Sequence, residues 1–200
     1  MMRVIGLTGS IAMGKSTTAA MLRRLGVPVY DADAAVHRLT APRGRAVAAI
    51  AARFPGVIDR TGAVDRRLLG PRVFKDVKEL KALEAILHPL VKHEERRFMQ
   101  RQYREKRRIV VLDIPLLFET RGQGRCDAVW VVSAPRLLQT QRVLRRPGMT
   151  GDRLAAVRAR QIPDAEKRRR ADLVIPTGLG RRPAWNAVLR GLKKQGKPDA

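Results

Sequence analysis

The chain has 200 residues, enough for one compact domain with a sizeable core. Hydrophobic residues make up 44% and aromatics only 4%, so the core must be mostly Leu, Val, Ile and Ala. Against 42 Lys and Arg stand 18 Asp and Glu; the net charge of +24 attracts polyanions without choosing between nucleotides, nucleic acid and acidic membranes, while a single cysteine, Cys126, excludes a disulfide framework and a zinc cluster within the chain.

The elements follow in order. Residues 4–8 form a short, mostly apolar run that stops at Gly9, the pattern of a buried strand. Residues 15–25 read as a helix with Ala19, Met21, Leu22 and Leu25 at its apolar positions, closed by Gly26. "VPVY" at 27–30 is a second strand, and "DADAAVHRL" turns straight into another helix. From 42 to about 106 the pattern is mostly helical. Asp59, Gly62 and Asp65 mark turns, Asp76 and Glu79 have the spacing of a capping box, and His88-Pro89 is expected to split two helices. "RIVVLDIPLLF" and "DAVWVVS" are strands of the continuous apolar kind that is covered on both faces. Helices are expected at 135–146 and from 152 to about 171, a last strand at 172–175, and an amphipathic helix in "PAWNAVLRGLKK". Strands alternating with helices predict a parallel sheet with helices on both faces. No apolar run approaches the roughly 18 residues of a membrane span. Lys15 interrupts the apolar start and one cysteine fits a reducing compartment, so a soluble cytoplasmic protein without a membrane partner is expected.

"GSIAMGKS" matches G-x-x-x-x-G-K-[ST] at Gly9, Gly14, Lys15 and Ser16, between a strand and a helix. Glycines let backbone amides converge on phosphate oxygens, and the helix start adds partial positive charge. Lys15 would reach the β- and γ-phosphates, and Ser16 would offer its hydroxyl to Mg²⁺. The loop therefore predicts a nucleotide without naming an acceptor. Asp31 and Asp33 lie at the end of the second strand, where open parallel sheets bind ligands. Either can take a proton from an attacking hydroxyl, bind Mg²⁺ through water, or simply cap the next helix. Position alone leaves these alternatives level.

The ordered set "GLTGSIAMGKST", "VYDADAAVHRL", "GAVDRRLLGPRVF", "LEAILHPLV", "DIPLLFE" and "QTQRVLRR" resembles the dephospho-coenzyme A kinase family, from about residue 4 to 175. The resemblance implies a P-loop NTPase fold: a parallel five-stranded sheet flanked by helices, with a helical substrate-binding insertion and a lid. It implies a core at about 1–33, 106–142 and 168–195, an insertion at about 34–105 and a lid at about 143–167. The implied activity is ATP- and Mg²⁺-dependent phosphorylation of the ribose 3′-hydroxyl of dephospho-CoA, the last step of coenzyme A synthesis. Lys15, Asp33 and Arg142 become the expected catalytic residues. Gly9, Ala12, Met13, Gly14, Lys15, Ser16, Thr17 and Arg146 become the nucleotide-binding set, and Asp31, Asp33 and His88 the acceptor-binding set. Arg142 and Arg146, spaced i, i+4, would share a helix face and close over the nucleotide.

Ala12 and Met13 stand where the family usually has Gly and Ser, and Pro147 where it usually has Asp. Asp113 resembles a Walker-B aspartate but stays outside the catalytic set, because the family does not require an acid there. His37, His93 and Cys126 have no ligand partner at a useful spacing and read as solvated or packed. The rival readings are another small-molecule kinase, such as a nucleoside monophosphate kinase, and a nucleic-acid-stimulated ATPase. No recognition motif and few aromatics speak for specific nucleic-acid binding, and no obligate protein partner is evident.

Overall fold

The computed structural model describes residues 1–196, apart from the side chain of Phe74. Five strands form one parallel sheet in the order β2-β3-β1-β4-β5: β1 (Arg3–Thr8), β2 (Val29–Asp31), β3 (Ile109–Asp113), β4 (Ala128–Ser133) and β5 (Leu173–Pro176). Every residue of β3 and β4 is buried, which explains their unbroken apolar spelling. β1 lies between β3 and β4, so the chain reverses its direction of travel through the sheet at β1. The loop after β1 thus leaves from the crevice where such sheets bind ligands.

Residues cluster into two compact units, Met1–Asp31 with Gln102–Ala200, and Ala32–Arg101. The first holds the sheet with α1 (Lys15–Arg24) and, after β3, α6 (Arg136–Leu144), α7 (Gly151–Ala159), α8 (Asp164–Arg169) and α9 (Arg181–Lys194). Its core is Ile5, Leu7, Leu22, Val111, Trp130, Val132, Ile175 and Val188 with their neighbours. A glycine inside α9 looks out of place until its neighbour is seen. A Cβ on Gly191 would lie 2.5 Å from Leu173 Cδ2 and 2.7 Å from Trp130 Cζ2, so only a bare backbone lets α9 cover the indole. The second unit contains α2 (Ala32–Thr40), α3 (Val47–Arg53), α4 (Arg66–Lys75) and most of α5 (Val77–Arg104). Leu39, Ile50, Phe54, Val57, Val64, Leu69 and Val73 form its core, with Leu83, Ile86, Leu87, Leu90 and Val91 of α5 against it. Among the described residues, no helix is long and apolar enough to cross a membrane.

Five local expectations change. The strand expected over "RIVVLDIPLLF" ends at Asp113, and residues 115–121 form a turn instead. His88-Pro89 does not split two helices; α5 runs unbroken for 28 residues. The apolar stripe at 83, 86, 87, 90 and 91 continues in helical phase across the proline. Pro89 and Ala85, whose carbonyl loses its donor, are both exposed, so water can serve that carbonyl. The single helix expected from 152 is instead α7 and α8. Pro163, in extended backbone at φ −53° and ψ 141°, separates them and caps α8. The capping box at α5 is half made: Asp76 accepts from the Lys78 amide at 2.7 Å, whereas Glu79 turns to Arg53 at 2.6 Å. Finally, α6 stops at Leu144, so Arg146 lies in the following turn and does not share a helix face with Arg142.

Candidate active site

The phosphate loop owes its shape to where its carbonyls go. Ser10 O accepts from Met13 N at 3.1 Å, and Ile11 O from Gln139 Nε2 at 3.0 Å. Ala12 O lies 3.5 Å from Arg142 Nη1, Met13 O accepts from Thr177 Oγ1 at 2.6 Å, and Gly14 O takes Thr18 N and Oγ1. The acceptors of residues 10–14 are thus all engaged by protein. The first amides of α1, by contrast, have no intrahelical acceptor, and no side chain caps them among the described residues. A loop with its carbonyls tied back, running into a helix whose first amides are unspent, is an anion nest at a helix start.

Gly14 has φ +91°, with Thr177 packed where its Cβ would be, at 3.0 Å. Ala12 has φ +58°, the left-handed region, although it carries a Cβ. The backbone here takes the conformation a glycine would take, and alanine bears the strain. Met13 is buried: its sulfur accepts from Ala134 N at 3.1 Å. The two departures from the usual loop sequence therefore have different consequences. One strains the backbone, and the other exchanges a small polar side chain for packing under the loop.

Lys15 Nζ lies 2.6 Å from Asp113 Oδ1, with the Asp113 side chain buried at the carboxyl end of β3. Asp31, level with Asp113 in the β2–β3 register, lies 3.6 Å from Arg23. Ser16 and Thr17 are exposed at the start of α1. They line one end of a groove of about 660 Å³ that continues along Ala20, Met21 and Arg24 to Arg181 and Trp185 of α9. Gly9 is held against Val132, whose Cγ2 lies 2.3 Å from where a Cβ would stand.

Arg142 is fastened rather than free. It donates to Thr177 O at 2.8 Å and reaches Thr177 Oγ1 at 3.4 Å, between the phosphate loop and the segment after β5. Arg146 is exposed in the turn after α6. Asp33 and His88 belong to the Ala32–Arg101 unit: Asp33 is exposed in the first turn of α2, and His88 is exposed midway along α5, not at a helix end. In the same unit Arg66 Nη1 lies 2.8 Å from His37 Nε2. Asp65, within "GAVDRRLLGPRVF", caps α4 through the Arg67 amide at 2.8 Å. The Arg67 side chain and that amide hold the Asp65 carboxyl below its ordinary range.

Gln139, Gln161 and Thr177 were not singled out in the sequence, yet each bonds the phosphate loop. No motif marks them. The Asp113 signal was present as a carboxylate ending an apolar strand, but its pairing with Lys15 was not.

Among the described residues, no group of three or more His, Cys, Asp or Glu forms a cage for a metal ion. The hydroxyl of Ser16 and the Asp113 carboxylate are hard oxygen donors of the type Mg²⁺ takes. A cation there would draw its remaining ligands from phosphates and water.

The sequence profile of the family described as dephospho-CoA kinase matches residues 3–179. A dephospho-CoA kinase of Rhodospirillum rubrum is 59% identical over 189 residues, covering 94% of this chain and 90% of its own. One from Paramagnetospirillum magneticum is 67% identical over 167 residues, covering 84% and 78%. Among solved structures, TT1252 from Thermus thermophilus aligns with a TM-score of 0.85 at 36% identity, over 98% of this chain and 99% of that one. A dephospho-CoA kinase from Campylobacter jejuni shares the fold, with a TM-score of 0.67 at 23% identity over 98% of both chains. With a profile match over most of its length and relatives this similar, the chain belongs to the dephospho-CoA kinase family.

Proposed function

We propose that the protein transfers the γ-phosphate of ATP to the ribose 3′-hydroxyl of dephospho-CoA, giving coenzyme A and ADP. The observation that carries this reading is a phosphate loop whose carbonyls are tied back, leading into a helix whose first amides remain unspent, in a chain of this family. The triphosphate takes those amides, and Lys15 exchanges the Asp113 carboxylate for phosphate oxygens. The groove beside Ser16 and Thr17, with Met21 and Trp185 in its wall and arginines at its rim, offers room for the rest of the nucleotide. Bound with the nucleotide, Mg²⁺ would offset charge on the β- and γ-oxygens, held by Ser16 and, through water, by Asp113.

Asp33, two residues beyond the carboxyl end of β2, takes the proton of the 3′-hydroxyl as its oxygen attacks phosphorus and the bond to ADP breaks. Asp31 and His88 serve the acceptor. Arg142, held at the loop, faces charge on the transferring phosphoryl group, and Arg146 joins it from the exposed turn. In this reading residues 34–105 receive the acceptor and residues 143–167 cover the nucleotide.

The test is ADP release with dephospho-CoA against a panel of nucleoside monophosphates and nucleic acids. ADP should form with dephospho-CoA and not with the panel; the reverse pattern rejects the reading. Asp33→Asn should lower turnover by about 10²–10⁴-fold while ATP binding persists, and turnover within a few-fold of wild type would remove Asp33 as the base.

A further inference from the structure

Ile11 is gripped on both sides of its backbone. Its N–H donates to Gln161 Oε1 at 3.1 Å, and its carbonyl accepts from Gln139 Nε2 at 3.0 Å. Neither amide is free to flip. Arg158 donates twice to Gln139 Oε1, at 2.6 and 3.1 Å, and once to Thr140 Oγ1 at 2.9 Å. Because a guanidinium only donates, Gln139 must present its oxygen to Arg158 and its NH₂ to Ile11. Arg158 lies in α7 and Gln161 in the link to α8, so one segment makes one grip itself and orients the other, made by Gln139 of α6.

That segment is pinned by buried charge to the turn after β3 and to the end of β4. Glu119 Oε1 accepts from Ile162 N at 2.9 Å and pairs with Lys167 Nζ at 2.7 Å, the Lys167 side chain being wholly buried. Asp164 Oδ2 accepts from Ser133 Oγ, at the end of β4, at 2.7 Å. The second oxygens of Glu119 and Asp164 are also buried, without a hydrogen-bond partner among the described residues. Buried ions with lone pairs left over are a poor way to gain stability and a good way to forbid alternative positions. The mechanism of phosphoryl transfer uses none of these residues.

We propose that Gln161 is a positioning residue. Together with Gln139, oriented by Arg158, it sets the Ile11 peptide and thereby the phosphate loop in its nucleotide-accepting shape before ATP arrives, and the pins at Glu119–Lys167 and Asp164–Ser133 hold it there. The inference rests on the reading of this loop as the ATP site. The donor half of the reaction is then prepared by two side chains that hold the loop, one of them, Gln161, within the same segment that covers the nucleotide. Loss of the grip acts on ATP and spares the acceptor.

Gln161→Met keeps the side-chain length and removes the oxygen; Arg158→Met releases Gln139 and serves if the first variant folds poorly. In nucleotide-free protein, amide hydrogen exchange of Ile11 should accelerate in Gln161→Met while β1 and α1 amides keep their wild-type rates. ATP binding by titration calorimetry should weaken by about 3- to 10-fold, the worth of one hydrogen bond. KM for dephospho-CoA should stay within about twofold of wild type. The double variant should lose less than the product of the two single losses, because both act through Ile11. Unchanged Ile11 exchange, an unchanged ATP dissociation constant, equal losses for both substrates, or multiplicative losses would each overturn the proposal. Failure of the wild type to bind ATP would instead reject the donor reading, and the exchange experiment keeps the two apart.

Discussion

At Ala12 a single methyl group sets a local cost. An L-residue in the left-handed region costs roughly 1–2 kcal/mol, and Ala12 sits there at φ +58°. Glycine would remove that strain but return about 0.4–1 kcal/mol through its freer unfolded chain. Ala12→Gly should therefore raise stability by about 0–1.6 kcal/mol in denaturant unfolding, and a clear loss would show that Ala12 is not strained. The loop's sequence announced its amides and its lysine because that pattern is local. Its supports were silent: Gln161 lies 150 residues from Ile11, and Thr177 lies 164 from Met13. Glutamine and threonine carry no signature that separates a brace from a surface residue.

Among the elements, strands were legible where burial on both faces forced continuous apolar spelling, as in β3 and β4. Helix limits were less so, because a local rule competed with packing. At Pro89 the apolar stripe of α5 outweighed the breaker; at Pro163 no stripe bridged the proline, and the helix ended. A helix-interior proline costs about 3 kcal/mol relative to alanine, so Pro89→Ala should stabilise the protein by about 1–3 kcal/mol. An unchanged midpoint would mean that α5 has already absorbed the missing bond. The pins of α8 make the opposite forecast. Removing one member of a buried ion pair typically costs 3–5 kcal/mol, so Lys167→Met should destabilise on that scale. Lys167→Met with Glu119→Leu should recover much of the loss. If the double variant is as unstable as the single, the pair is more than a geometric lock.

For the whole molecule, the excess of 24 positive charges promises capture of anionic substrates at a rate that falls with salt. Charge alone left nucleic acid in contention, and the ordered motifs narrowed it. Acid sensitivity follows from particular carboxylates. Asp65 is held low by Arg67, and Asp59 by the Thr61 hydroxyl and the Ala63 amide. As their folded-state pKa values lie below the unfolded ones, their stabilisation is full above the ordinary carboxylate range near pH 4. It is lost as pH falls through the folded values. Asp65→Asn should flatten that part of the acid unfolding curve while leaving its neutral end, apart from the lost cap, in the same form. An unaltered slope below pH 4 would exclude Asp65 as a contributor.

The two tryptophans occupy environments different enough to divide an optical signal between them. Trp130 is sealed beneath Gly191 in the sheet core, whereas Trp185 lies half-buried in the groove wall, with the Arg24 guanidinium 5.8 Å from its ring. The native emission is thus a sum of a blue-shifted, quencher-protected component and a red-shifted component that iodide can reach. A Trp185→Phe variant would isolate the first as a reporter of global unfolding. The difference from wild type would give a spectrum belonging to the groove alone, so occupancy beside the phosphate loop can be followed by fluorescence without attaching a dye.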